Sequence, residues 1–352
     1  MKLSAISSSA IQNAMRLTIK QSQNEMTKAS LEATTGVYAD MGVSLGGNIS
    51  QSIDMTRDVS RLDSIMASNS TAAARMTATQ KGLADMTSQS QTFLDQLVAL
   101  QGNQDGSSIA LSQTTATSTI SSFVADANTQ LNGQYIFAGT NTDVQPVTDQ
   151  TTAATAAIQS ALTDYMAAQS PPVTAKSDLT ADQMNDFIST KVQPMFLDDT
   201  SPAPNWSSWS SASDQNMTSR INNSEVVETS TNSNSSGMRY MALAGTVAKA
   251  LMGTDISKAA LNAVTTNAIS YARQGIDGMN AQASQLGLSQ SRVTKANDAI
   301  GAQKDIINNR IVDLQGVDPY EASTKVNSLE TQLQTAYTIV SKIQQLSLVN
   351  YL

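Results

Sequence analysis

The sequence has no cysteine and no histidine in its 352 residues. Disulfides, thiol nucleophiles, imidazole bases and the soft ligands of zinc, copper and haem sites are therefore excluded. Aromatic residues are also scarce, 4% of the chain against 40% hydrophobic overall. Its apolar surface comes mainly from Ala, Met, Leu, Ile and Val, which suits slender helix seams better than a large globular core. The formal charge is −8 and no Lys/Arg cluster stands out. Phosphate recognition needs a concentrated basic face and an anionic bilayer would repel this surface, so neither nucleic acid nor membrane is expected as a partner. No window carries the roughly eighteen apolar residues of a membrane span. The first thirty residues hold only isolated Leu and Ile among Ser, Gln and Asn, unlike a secretory signal peptide. Lack of Cys fits a reducing cytosol, and equally a chain threaded unfolded through a narrow export channel.

Proline is rare outside one window. Six of the seven (Pro146, Pro171, Pro172, Pro194, Pro202, Pro204) fall between residues 141 and 214, leaving the flanks free to form long helices. That window also lacks glycine, holds both tryptophans, Trp206 and Trp209, and sets nine Asp against Lys176 and Lys191. The expected organisation is a terminal assembly segment 1–35, disordered in the monomer and folding on assembly, because its seam (Ile11, Met15, Thr18, Ser22, Met26, Ala29) is thin. Residues 36–140 and 236–315 are expected to be the two halves of a helical rod, 141–235 an inserted, surface-displayed middle domain, and 316–352 a C-terminal assembly helix. The fold class is then mainly α: an elongated antiparallel helical bundle or coiled coil with a small α+β or β-containing insertion.

Periodicity supports the rod. On the N-terminal flank a three-four spacing runs Val59, Leu62, Met66, Asn69, Ala73, Met76, Gln80, Leu83, Thr87, Ser90, Leu94 and Leu97, the mark of a coiled-coil seam rather than of a broad apolar face. Asn69 and Gln80 either fix register or face solvent. Gly102 and Gly106 interrupt it, Ser107 or Ser108 can cap a second helix, and that helix has the seam Ile109, Ala116, Ile120, Phe123 and Ala127. The C-terminal flank answers with Leu286, Val293, Ile300, Ile307 and Leu314, a strict seven-residue repeat. Gly316 ends that helix, and Asp318, Pro319 and Glu321 open the next. Its seam is Ala322, Val326, Leu329, Leu333, Ala336, Val340 and Ile343.

Catalytic signatures are weak. The run Gly42 to Gly47 has no Walker lysine and reads as a turn between helices. Asp198 and Asp199 beside Pro202 and Pro204 read as a solvated loop before they read as a carboxylate pair. Trp206 and Trp209 suit the core of a small middle domain better than a sugar-binding platform. No enzyme activity, cofactor or metal is expected.

Residues 132–143, Asn-Gly-Gln-Tyr-Ile-Phe-Ala-Gly-Thr-Asn-Thr-Asp, place a burst of β-formers after a long helical pattern. They closely resemble the segment that ends the N-terminal helical half of the flagellar hook-filament junction proteins, the third hook-associated type of the bacterial flagellin superfamily. The resemblance extends to Ser30–Gly36 and to the final Leu-Ser-Leu-Val-Asn-Tyr-Leu. Arg220–Glu228, followed by Gly237, Met238 and Arg239, is similar to the strand pair and return helix of such proteins. It implies an extracellular structural protein, exported unfolded by the flagellar type III apparatus, with or without a chaperone. The protein would then self-associate in a ring between another hook-associated protein and flagellin. Assembly would be carried by apolar burial of Leu3, Ile6, Ile11 and Met15 with Val340, Ile343, Leu346 and Leu348, each worth about 1.5 to 3 kcal/mol when fully buried. A filament flagellin is the alternative reading, and a secreted adhesin binding through the Trp206 region a more distant one.

Overall fold

The computed structural model describes residues 3–349, and side chains from residue 10 to residue 345. It is mainly α, as the spacing predicts, with two two-stranded antiparallel hairpins as its named sheets among the described residues. The long helices are α1 (Leu3–Thr35), α3 (Ile49–Gly102), α4 (Gly106–Ala127), α9 (Ser236–Leu251), α10 (Lys258–Gln315) and α11 (Pro319–Val349). Many Ser and Thr side chains within them, such as Thr18, Thr27, Ser90 and Thr265, bond back to the carbonyl four residues earlier. That bond lets hydroxyl-rich segments stay helical without orphaned donors.

Two compact units result: Met1–Ser64 with Ala299–Leu352, and Ile65–Asp298. In the first, α1 lies antiparallel to α11, with Gln23 Nε2 donating to Tyr337 Oη at 2.8 Å. Within the terminal segment 1–35, residues 3–35 are helical in this structure. The row Leu329, Leu333 and Ala322 on α11 is the apolar surface that the thin α1 seam needs. The end of α1 is tied to the end of α10 by Tyr38 N–H donating to Gln315 O (3.0 Å) and Val317 N–H to Gly36 O (2.9 Å). The glycine-rich run is, as expected, a connection: short helix α2 (Met41–Leu45) and a 3₁₀ turn (Gly46–Asn48). Helix α11 opens at Pro319, with Asp318 Oδ1 accepting from the Tyr320 N–H at 2.8 Å.

In the second unit every predicted seam residue of α4 is buried, and Leu286 and Val293 of the heptad row are buried with them. Helix α3 departs from the narrow-seam expectation between residues 72 and 100. There Ala72, Arg75, Thr79, Met86, Phe93 and Leu100 are buried besides the seam, so the helix is covered over a wide arc. Asn69 faces inward, not to solvent: it is fully buried and donates to Ile221 O and to Asn297 Oδ1.

The cap of α4 also differs from expectation. It is Asp105, not Ser107 or Ser108, that accepts from the Ser108 N–H at 2.7 Å, from the Ser107 hydroxyl at 2.7 Å and from the Asn103 amide at 3.0 Å. The Ser108 backbone bond foremost, then the Ser107 hydroxyl, holds this carboxyl well below the usual carboxylate range. A depressed pKa stabilises fully above the unfolded value of about 4 and loses that contribution as pH falls below it. Thermal midpoints should therefore drop below about pH 4, and Asp105→Asn, which keeps an acceptor but cannot titrate, should flatten part of that acid limb. Superimposable acid limbs in the two proteins would contradict the assignment.

The middle segment is strung between α4 and α9. It contains hairpin β1–β2 (Gln130–Leu131, Gln134–Tyr135), α5 (Thr151–Ala167), α6 (Ala181–Phe187), α7 (Pro194–Leu197), α8 (Trp206–Trp209) and hairpin β3–β4 (Thr218–Arg220, Val226–Glu228). Its Ile158, Leu162, Phe187, Phe196, Trp206 and Trp209 belong to the same apolar cluster as Ile120 of α4 and Leu243 of α9. Residues 141–235 therefore share a core with the helices that flank them.

Asn132 (φ 53°) and Gly133 (φ 78°) make the tight turn of β1–β2, the pairing that the twist of a two-residue hairpin favours. Beyond it Ile136, Phe137 and Ala138 are fully buried. Arg75 anchors this hairpin, donating from Nη1 to Gln134 Oε1 (3.0 Å) and from Nη2 to Tyr135 O (2.8 Å). The recognised sequence burst is therefore a plug in the core.

Candidate assembly interface

Helices α1 and α11 place the predicted contact residues. Met15, Val340 and Ile343 are half-buried, while Ile11 remains 46% exposed. The side chains of Leu3, Ile6, Leu346 and Leu348 lie outside the described residues. Met15 and Thr18 on α1, with Thr331, Thr335, Ala336 and Ile339 on α11, line a groove of about 280 Å³. Of the four predicted residues that are described, Met15 lines the groove where α1 and α11 meet within one chain, Val340 and Ile343 are half-buried on α11, and Ile11 faces outward.

The outward apolar side chains escaped the sequence reading. Leu17, Val43, Ile306 and Tyr320 are 71%, 79%, 70% and 82% exposed, and Leu31, Ile53, Val312, Tyr337 and Ile339 join them. With Ile11, ten of the fifteen large hydrophobic side chains that are exposed among the described residues belong to this unit. Scattered exposed apolar residues are ordinary, and it is their gathering on the smaller of the two units that makes it the candidate interaction surface. The signal was present as apolar residues off the seam. Leu17 stands two positions from Met15, about 200° around the helix.

Charge follows the same division. This unit carries ten basic against eleven acidic residues, the other eleven against eighteen. Repulsion between copies is therefore weakest where apolar surface is most exposed.

The residues that chemistry would single out elsewhere have structural partners. Trp206 and Trp209 are 1% exposed and stacked, with ring centroids 6.3 Å apart. Trp206 Nε1 donates to Asn234 Oδ1 at 2.8 Å, and the Arg239 guanidinium lies 5.7 Å from the Trp206 ring centre. Arg239 grips Asp199 with both Nη atoms, at 2.7 and 3.1 Å. Asp198 accepts from the hydroxyl and N–H of Thr200, which hold its carboxyl below the usual range. Arg239→Lys should lower stability by about 1 kcal/mol, since a point charge cannot keep the two-pronged pair and the ring contact together. Asp199 is largely exposed, which limits the effect. An unchanged urea midpoint would count against this role. Among the described residues no helix is long and apolar enough to cross a membrane.

Comparison with known proteins gives consistent findings. The model of the bacterial flagellin N-terminal helical region matches residues 6–142, and that of the bacterial flagellin C-terminal helical region matches residues 269–352. No curated protein sequence matches. Among solved structures, a Vibrio parahaemolyticus chain described as a flagellar hook-associated protein is similar in fold. Its TM-score is 0.51 at 8% identity, over 75% of this chain and 95% of that one.

Proposed function

Because this chain belongs to the bacterial flagellin family, we propose that it is the adaptor between hook and filament in an extracellular flagellum. It is a structural component, and its work is mechanical: one set of apolar surfaces is buried against another hook-associated protein and another against flagellin. Copies associate head-to-tail in a ring, an arrangement that places different faces of one subunit in contact. Export through the flagellar type III apparatus precedes assembly, and a chain without cysteine suits that passage. The observation that carries this reading is the gathering of exposed apolar residues on the nearly neutral unit built from both termini.

The second reading is a filament subunit, favoured by the fact that both matching family models are those of flagellin itself. Immunogold labelling of intact flagella separates the two. The adaptor reading expects gold in a single band where hook meets filament, whereas label along the whole filament would overturn it in favour of flagellin.

A further inference from the structure

Six buried side-chain polar atoms have no protein partner among the described residues, and four lie around the β3–β4 hairpin: Asn69 Oδ1, Arg75 Nε, Ser235 Oγ and Gln282 Oε1. Asn69 donates through Nδ2 to Ile221 O, at the start of the hairpin turn, at 2.9 Å. Its amide is thereby oriented, because only the NH₂ end can face a carbonyl. Arg75 lines a cleft of about 560 Å³ whose other residues include Met217, Thr218, Ser219 and Thr229. Ser235 and Gln282 line a polar cavity of about 150 Å³ with Glu228 and Ser230. An open cleft of about 620 Å³ borders Met217, Thr218 and Glu228.

The hairpin is therefore bordered by clefts on several sides. Its buried apolar side chains are Ile221 and Val227, and its ladder is three residue pairs long. Gln285 Nε2 donates to Glu228 Oε2 at 3.2 Å, and Arg292 approaches Glu225 at 4.0 Å with both side chains exposed. Exposed pairs of this kind hold little, and a two-stranded hairpin is marginal alone. The 150 Å³ cavity has room for water, and orphaned buried polar groups are ordinarily met by water.

We infer that β3–β4 is a hydrated flap, which opens from α3 and α10 as a unit while the helical core around α4 and α9 stays closed. Opening removes two apolar plugs and a few polar contacts. Regions with few apolar contacts open at the low end of a protein's stability range. The flap would present Ile221 and Val227 transiently to solvent.

A chain without cysteine makes this directly measurable. Val227→Cys places a thiol under the flap, and Ala244→Cys places one in the helical core; these positions are 4% and 0% exposed. With native folding verified by circular dichroism, a maleimide dye should label the Val227→Cys protein about 100-fold faster than the Ala244→Cys protein, as separate local opening requires. Comparable rates would overturn the inference. If either variant fails to fold, Ile221→Cys, also buried under the flap, and Ala248→Cys in α9 take their places, with the same ratio of labelling rates expected. Comparable rates in that pair would overturn the inference as well.

Discussion

Ile343→Asp is expected to abolish incorporation into flagella, and hence motility, while leaving the Ile65–Asp298 unit folded. Ile343 closes the α11 row that begins at Ala322 and includes Leu329, Leu333 and Val340, and it is half-buried there. An ionised carboxylate in that row must be desolvated without a partner, which costs several kcal/mol in a dry contact. The α1–α11 pair has little to offset this cost. Its α1 seam is interrupted by Thr18 and Ser22, and two helices alone bury one face each. Circular dichroism should lose signal equivalent to part of α1 and α11 only, since the core around Met76, Ile120 and Leu243 lies in the other unit. Wild-type swimming by cells carrying this variant would remove the terminal pair from the assembly mechanism.

The second large effect concerns folding. Gly278→Val should prevent the Ile65–Asp298 unit from reaching its native packing, a loss of about 4 kcal/mol or more, the range of severe overpacking. A Cβ at Gly278 would stand 2.5 Å from Gly237 Cα and 2.8 Å from Gly237 N, and one at Gly237 would stand 2.7 Å from the backbone of Gly278 and Met279. Two helix backbones touch here, and neither can yield without lifting α9 off α10. Residues beside this crossing, Met238, Met241 and Met279, are fully buried, so the displacement would spread into the core. A urea midpoint within the error of the unmodified protein would show that the helices can separate at little cost. Gly139→Ala is a companion case, at φ 62° with the added carbon meeting the Ser213 and Gln215 carbonyl oxygens.

Much of the helical frame was legible because it obeys short-range rules. The Ile109 to Ala127 row, the heptad from Leu286 and the start of α11 at Pro319 all appear where periodicity and capping chemistry place them. The Asn132-Gly133 turn is equally local. What escaped depends on residues distant in sequence. Gly237 and Gly278 carry no pattern of their own, and only their meeting explains both. Arg75 reads as an ordinary exposed helix residue until the hairpin of residues 130–135 closes over it. The middle segment's composition suggested an insertion with a separate core, but Phe187, Phe196 and Trp209 fill the same cluster as Ile120 and Leu243. Composition records where charge and proline fall, and it is blind to which surfaces share a core.

The proposed assembly surface was half legible for a related reason. A seam residue such as Met15 announces itself by spacing, and the structure sets it in the groove where α1 and α11 of one chain meet. Leu17, Val43, Ile306 and Tyr320 are apolar residues off any seam, which a periodicity search discards as exceptions. Their exposure gives them meaning only once the neutral, two-termini unit is seen as a body.

Electron microscopy of cells from which this protein has been deleted tests the adaptor role most directly. The account predicts hooks without filaments, with flagellin released into the medium. Filaments still joined to their hooks would contradict it.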